Sequence, residues 1–357
     1  MNTTATAAGR AANPAWPAPA LAASPWWAIA AGAAVPLIAA GVVRDPLTSS
    51  ILSAASVQGL FALSWVLLAA TGQPSLGHAL PYGAGAYAAA FIARRAAFES
   101  STLNSLMPVF LTAGAAAAGA CAAGLQGRLT RRLTPVFLAA ISLGMVEAAH
   151  SLATMWTAPV MRGINEGDTA IPLGPFPAGD RTAMWLTAGA MALGIACVAG
   201  LLRSRAGIGL RMAAIEEREA AALGFNAPRI RVAAFVISGA LAGVAGGLAA
   251  QVAGRVTPEL FSLRGSLFVA AAAMLGGSLA VAGPAVAGYV TAALAQAGDV
   301  RPEVQVLAFA AVLAAASARN PRYLLGEAFG WNSRSSGAPS RGRPGGAVSM
   351  DVRTAGR

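Results

Sequence analysis

The sequence predicts an all-α integral membrane protein, a bundle of eight to ten transmembrane helices, with a broken or re-entrant segment left open within that range. Three observations carry the prediction. The chain of 357 residues is 56% hydrophobic and only 11% charged, where a soluble domain usually has about 25% charged residues. Its mean hydropathy is +0.62. Its apolar residues come in long runs, and a bilayer span needs about 20 such residues in a row.

Ten runs qualify as candidate spans. They are Trp26 to Val43, Ser50 to Ala70, Gly77 to Ala93, Leu106 to Leu125, Thr134 to Trp156, Met184 to Leu202, Val232 to Val252, Gly265 to Leu279, Val281 to Ala297 and Val304 to Ala316. Trp26 and Trp27 suit the interfacial end of the first. Between the eighth and ninth, "LGGSLAVAGPAVAG" (Leu275 to Gly288) reads as a turn or as a helix broken inside the membrane. Residues 1–25, rich in Ala and Pro, lack the charged start and apolar core of a signal peptide. They read as a disordered extension, as does the basic tail at 327–357. The domain proper is then 26–326.

All 25 basic residues are Arg, and the net charge is +11. No nucleic-acid-binding motif accompanies that charge, so no nucleic acid partner is expected. Arg placement instead gives orientation. With residues 1–25 in the cytoplasm and ten alternating spans, 17 of the 25 Arg fall on the cytoplasmic side, as the positive-inside rule requires. Both termini are then cytoplasmic. Arg94 and Arg95 are the exception. Either the third run is a half-span, or the pair snorkels to the outer headgroups.

Glu147 and His150 share one face of the fifth span. A charge at the bilayer centre costs about 2.5–3.5 kcal/mol on insertion scales, so such groups face the bundle or water. They bond each other, or Glu147 is neutral; the pair orients helices, or it lines the path or senses the conformational state. His78 opens the third run beside Gly77, and "SLGH" reads as a bend with close backbone approach, structural or gating. Gly239, Gly243 and Gly247 recur at every fourth position, as in small-residue helix contacts. Cys121 and Cys197 each lie inside an apolar run and read as small buried apolar residues. Two His and no paired Cys leave no metal site. No cofactor fingerprint, phosphate loop or nucleophile–base pair occurs, so no enzyme is expected.

The polar insert Arg203 to Arg231 separates the sixth and seventh spans. Glu216, Glu217, Arg218 and Glu219 are consecutive and occupy every side of one helical turn. That turn needs water or a protein around it. Gly224 and Asn226 suit the end of a short helix, and Pro228 would stop its continuation.

These segments together resemble the branched-chain amino acid ABC transporter permease family, M-type subunit. The stretch "TGQPSLGHALPYGAGAYAAA" (Thr71 to Ala90) follows that family's signature, with Pro74 where the family has Leu. "ISLGMVEAAH", "AFVISGALAGVAGGLAA", "VTPELFSLRGS" with "MLGGSLAVAGPAVAG", and "NPRYLLG" follow in family order. Arg211, Glu217, Ala220, Leu223 and Gly224 match its cytoplasmic loop. The resemblance implies an importer subunit in the bacterial inner membrane that moves branched-chain or related amino acids. It also implies a second homologous permease, two ATPase subunits that bind the ATP, and an extracytoplasmic binding protein. Arg211, Glu216, Glu217, Arg218, Glu219 and Gly224 would then form the ATPase-coupling loop, and His78, Glu147 and His150 are candidates for the path or gate. Urea, short amides or aromatic acids stay open as cargo. A self-contained ion-coupled transporter is the competing class.

Overall fold

The structure, a computed structural model, describes residues 26–73, 75–95, 101–133, 135–161, 171–172, 180–213 and 217–276, with 281, 283, 287 and 288. The ninth and tenth predicted spans, both terminal segments, most of Leu275 to Gly288, and Glu216 lie outside these residues, apart from the few named positions.

The described chain is a helical bundle. The helices are α1 (Trp26–Val42), α2 (Pro46–Ala69), α3 (Ala79–Arg95), α4 (Ser101–Thr130), α5 (Pro135–Met161), α6 (Asp180–Arg203), α7 (Arg205–Met212), α8 (Glu217–Ala222), α9 (Ala227–Ala253) and α10 (Leu263–Gly276). Five segments, within α2, α4, α5, α6 and α9, are long and apolar enough to cross a membrane; the apolar parts of α1 and α10 are shorter. The third run forms a helix of 17 residues that includes Arg94 and Arg95 in its last turn.

Local chemistry sets the ends. Asp45 caps α2: its carboxylate accepts from the Thr48 amide at 2.9 Å and the Thr48 hydroxyl at 2.8 Å. Those two bonds hold the Asp45 carboxyl below its ordinary pKa. Pro46 fills the first helical position, where its missing N–H costs nothing. The helix therefore starts a turn before the predicted Ser50, because the cap, not hydropathy, decides the first residue. α8 ends at Ala222, short of Pro228 as expected; Pro228 lies in the first turn of α9, and Asn226 caps that helix by accepting from the Arg229 amide at 3.1 Å.

The centre of the bundle is α9, which packs against α4, α3 and α2. The glycine stripe makes this possible. An added Cβ at Gly239 would meet Ala123 and the Gly119 backbone, one at Gly243 the Ala115 and Gly119 backbone, and one at Gly247 the Ala115 side chain. Gly246 presses on the Tyr82 backbone, and Gly85 of α3 presses on Gly243. Helices without side chains between them approach closely and gain dispersion contacts, the main packing term available in lipid.

α1 rests mainly on α6, and among the described residues α5 packs chiefly against the turn at Pro258–Phe261. Cys121 and Cys197 are exposed, not buried. They belong to the outward faces of α4 and α6, which also show Val109, Phe110, Leu125 and Leu193. In a bilayer the outward face is as apolar as the core, so hydropathy alone does not separate them. Two-residue strands β1 (Ile171–Pro172) and β2 (Arg255–Val256) pair antiparallel, Ile171 with Val256 and Pro172 with Arg255. They tie the connection between α5 and α6 to the chain leaving α9.

Candidate functional site

The predicted site residues fall at three separate places: a buried crossing between α2 and α3, the helix α5 with the turn leading to α10, and the insert between α6 and α9.

At the crossing, the chain leaves helical geometry after Ala69 and resumes it at Ala79. Thr71, Gln73, Ser75, Gly77 and His78 are nonetheless buried. Irregular backbone inside a bundle needs partners for its polar groups, and side chains from other helices supply several. Trp65 donates its indole N–H to the Ser75 carbonyl at 2.8 Å. Gln126 of α4 donates to the Ser75 hydroxyl at 3.0 Å. The Ala79 amide at the start of α3 donates to the Ser266 hydroxyl of α10 at 2.9 Å. An added Cβ at Gly77 would come within 2.8 Å of the Ser142 carbonyl carbon on α5. The bend therefore requires glycine by close approach, as the sequence suggested.

His78 is 2% exposed. Its Nε2 lies 2.8 Å from the Ser64 hydroxyl, whose own proton goes to the Phe61 carbonyl at 2.6 Å. With that proton committed, Nε2 is the donor and carries hydrogen. The ring stacks on Phe61 at 5.6 Å between centroids, and Phe61 stacks on Tyr82 at 4.3 Å. Ser238 of α9 completes the junction by donating to the Ser64 carbonyl at 2.8 Å. His78 thus sits in a packed junction of α2, α3 and α9. Two buried side-chain oxygens, of Gln73 and Tyr87, have no partner among the described residues.

On α5, His150 does not bond Glu147. Its Nδ1 lies 2.9 Å from the Pro258 carbonyl. A carbonyl only accepts, so Nδ1 carries hydrogen and Nε2 of the neutral ring is an acceptor. This bond fastens α5 to the 3-10 turn Pro258–Phe261, whose Phe261 packs on Gly83 and tilts against Tyr87 at 5.3 Å. On that turn, a hydrogen bond from the Thr257 side chain leads the causes that hold the Glu259 carboxyl below its ordinary pKa. Glu147 is exposed at the thirteenth of the 27 residues of α5. No hydrogen bond or ion pair joins it to another described residue.

The insert forms two short helices, α7 and α8, where the sequence suggested one. Arg211 turns inward and donates to the Leu202 carbonyl at 2.9 Å, satisfying an orphan acceptor near the end of α6. Arg231 donates through Nε and Nη2 to the Ala213 carbonyl, at 3.3 and 3.0 Å. Ala213, Ala220 and Ala227 form a small buried cluster under Phe225 and Ile230. Gly224 ends α8 in the left-handed region at φ 81°, with its amide and that of Phe225 bonded to the Ala221 and Ala220 carbonyls, as a glycine-terminated helix requires. Glu217, Arg218 and Glu219 open α8. Arg211 and Gly224 are thus parts of the insert's own framework, while Leu223 is 64% exposed.

Sequence reasoning missed Ser64, Ser238, Ser266, Gln126 and the Arg231 clamp. The one available signal was a polar residue isolated within an apolar run. Among the described residues, no group of three His, Cys, Asp or Glu could hold a metal ion.

Searches of curated proteins and of solved structures return no match. Residues 47–316 match the protein-family model described as "Branched-chain amino acid transport system / permease component". That match spans the crossing, α5 and the insert. With its apolar helices, the chain is a multi-pass membrane protein and belongs to the permease-component family of branched-chain amino acid transport systems.

Proposed function

We propose that this chain is a transmembrane permease subunit of an ABC importer, one that moves branched-chain or related amino acids across the bacterial inner membrane with both termini in the cytoplasm. The family match carries the reading. The insert supports it. A loop that had only to connect α6 to α9 would not need two helices, two arginine clamps and a buried alanine cluster. A preformed platform with an exposed Leu223 and a run of charged residues in its sequence fits a protein partner, since rigid elements dock with less ordering entropy.

In this reading two ATPase subunits bind the ATP and seat against α7 and α8. A second, homologous permease completes the membrane unit, and an extracytoplasmic binding protein delivers the amino acid. Glu216, Glu217, Arg218 and Glu219 form the docking turn. Arg211 and Gly224 hold its geometry. The permease itself binds no cofactor.

The test is uptake of L-leucine by the complex in proteoliposomes. Uptake requires ATP on the side of the insert, and Glu217→Arg abolishes it while the variant still inserts and assembles with the second permease. Accumulation of leucine by the purified chain alone, driven by an ion gradient, would overturn the reading.

A further inference from the structure

The outward faces of the described helices are not alike. From Val109 to Leu125, the outward residues of α4 are Val, Phe, Ala, Cys and Leu. From Trp185 to Gly200, those of α6 are Trp, Leu, Ala, Cys and Gly. Both suit lipid. On α5 the outward residues run Ala140, Gly144, Glu147, Ala148 and Ser151, with Phe137 and Ile141 at one end and Leu152, Thr154 and Met155 at the other. A belt of small and polar groups is thus framed by large apolar ones, and its centre is an ionisable side chain with no described partner. An added Cβ at Gly144 would meet nothing within 4 Å, so the belt is open at that point.

We propose that this face of α5 is a wall of the transport path, and that Glu147 is the group on it that meets the N–H donors of the passing solute. The inference rests on the permease reading and adds a residue and a chemistry to it. Lipid is excluded as the neighbour because a carboxylate at the middle of a span is left without solvation or a donor there. Water and a solute bearing an ammonium supply both. His150 is one turn along α5, with Nδ1 committed to the Pro258 carbonyl. The small side chains at 140, 144 and 148 keep room beside the carboxylate for a solute to pass.

The experiment uses membrane vesicles carrying the complete transporter, with Cys121 and Cys197, both exposed, replaced by Ala. Single cysteines at Gly144→Cys and Ser151→Cys are treated with a water-soluble thiosulfonate and compared with Ala117→Cys on the outward face of α4. Positions 144 and 151 react about tenfold faster or more, as an aqueous wall requires. L-Leucine slows their labelling, and 4-methylpentanoate, the same skeleton without the ammonium, does not. In uptake assays Glu147→Ala raises the leucine KM about tenfold or more, and Glu147→Asp restores most of the loss. Labelling no faster than at position 117 overturns the proposal and leaves lipid or a dry subunit contact. Fast labelling that leucine and 4-methylpentanoate slow alike, or an unchanged KM in Glu147→Ala, overturns the role of Glu147. Absence of ATP-dependent uptake by the unsubstituted complex refutes the importer reading, and the labelling pattern reports on the wall separately.

Discussion

Gly243 is the position at which one methyl group should do the most damage to the bundle. It lies on α9 where α3 and α4 both press in. A Cβ built there is 3.0 Å from the Gly119 Cα and 3.1 Å from the Ala115 carbonyl carbon, and it is closer still to the Ala115 carbonyl oxygen. Carbon atoms rest at about 3.5–4.0 Å, so α4 must retreat by about 0.5 Å or more. The obstacles are backbone atoms, which no rotamer change can move aside. Overpacking of this kind costs about 1–3 kcal/mol, and here it also loosens Gly85 against Gly243 on the α3 side. Gly243→Ala should therefore lower the thermal midpoint of the detergent-purified protein by several degrees, followed by size-exclusion of a fluorescent fusion after heating. The matched control is Gly144→Ala on the open face of α5, where the added methyl meets nothing. It should leave the midpoint unchanged or raise it slightly, since Ala is the better helix former by about 1 kcal/mol. Equal midpoints for the two variants would refute the claim that close backbone packing around α9 holds the bundle.

The other expectations concern the polar junctions. Ser64→Ala removes the acceptor of the His78 Nε2–H, and a buried orphan donor should cost about 1–3 kcal/mol. Adding His78→Leu should recover part of that loss, and a double-variant cycle of thermal midpoints measures the coupling; additive losses would show that the bond does not form. Arg231→Gln breaks the clamp on the Ala213 carbonyl and should speed proteolytic nicking between α7 and α9 while leaving the amount of protein in the membrane unchanged. Asp45→Asn should destabilise the start of α2 at neutral pH. Because the folded-state pKa of Asp45 is lowered, its contribution is present above the ordinary carboxylate range and is lost as pH falls through the lowered value. The difference between Asp45→Asn and the parent should close over that window in an acid titration of stability.

Some features of these three places are legible in the sequence, and the limits have physical causes. The bend at Gly77 was legible because a glycine beside a histidine within an apolar run marks close approach, and Ser142 backbone is what approaches it. The same sequence gave no hint that Ser64, Ser238 and Ser266 serve that bend from three different helices, since the contacts are 14, 174 and 187 residues apart along the chain. Glu147 and His150 are three residues apart on α5, but spacing does not reveal what lies opposite. The Pro258 carbonyl, 108 residues away, takes His150 and leaves Glu147 outward. In the insert, the charged turn was visible as composition. Its inward arginines were not, because a basic side chain beside a polar loop reads the same whether it meets water or an orphan carbonyl.

The sequence by itself determined that the chain spans a membrane many times, where five of the spans lie, that a charged insert interrupts them, and which family the order of its motifs resembles. These follow from local quantities: apolar run length, charge placement and short motifs. Only the tertiary structure decided which face of each helix is core and which is outward. Lipid and protein interior are both apolar, so a spanning helix carries little of the alternation that marks a buried face in water. Cys121 and Cys197 therefore read as buried in the sequence and are exposed in the structure. Glu147 stands out for the same reason, being exposed on a spanning helix where apolar surroundings would leave its charge unsolvated.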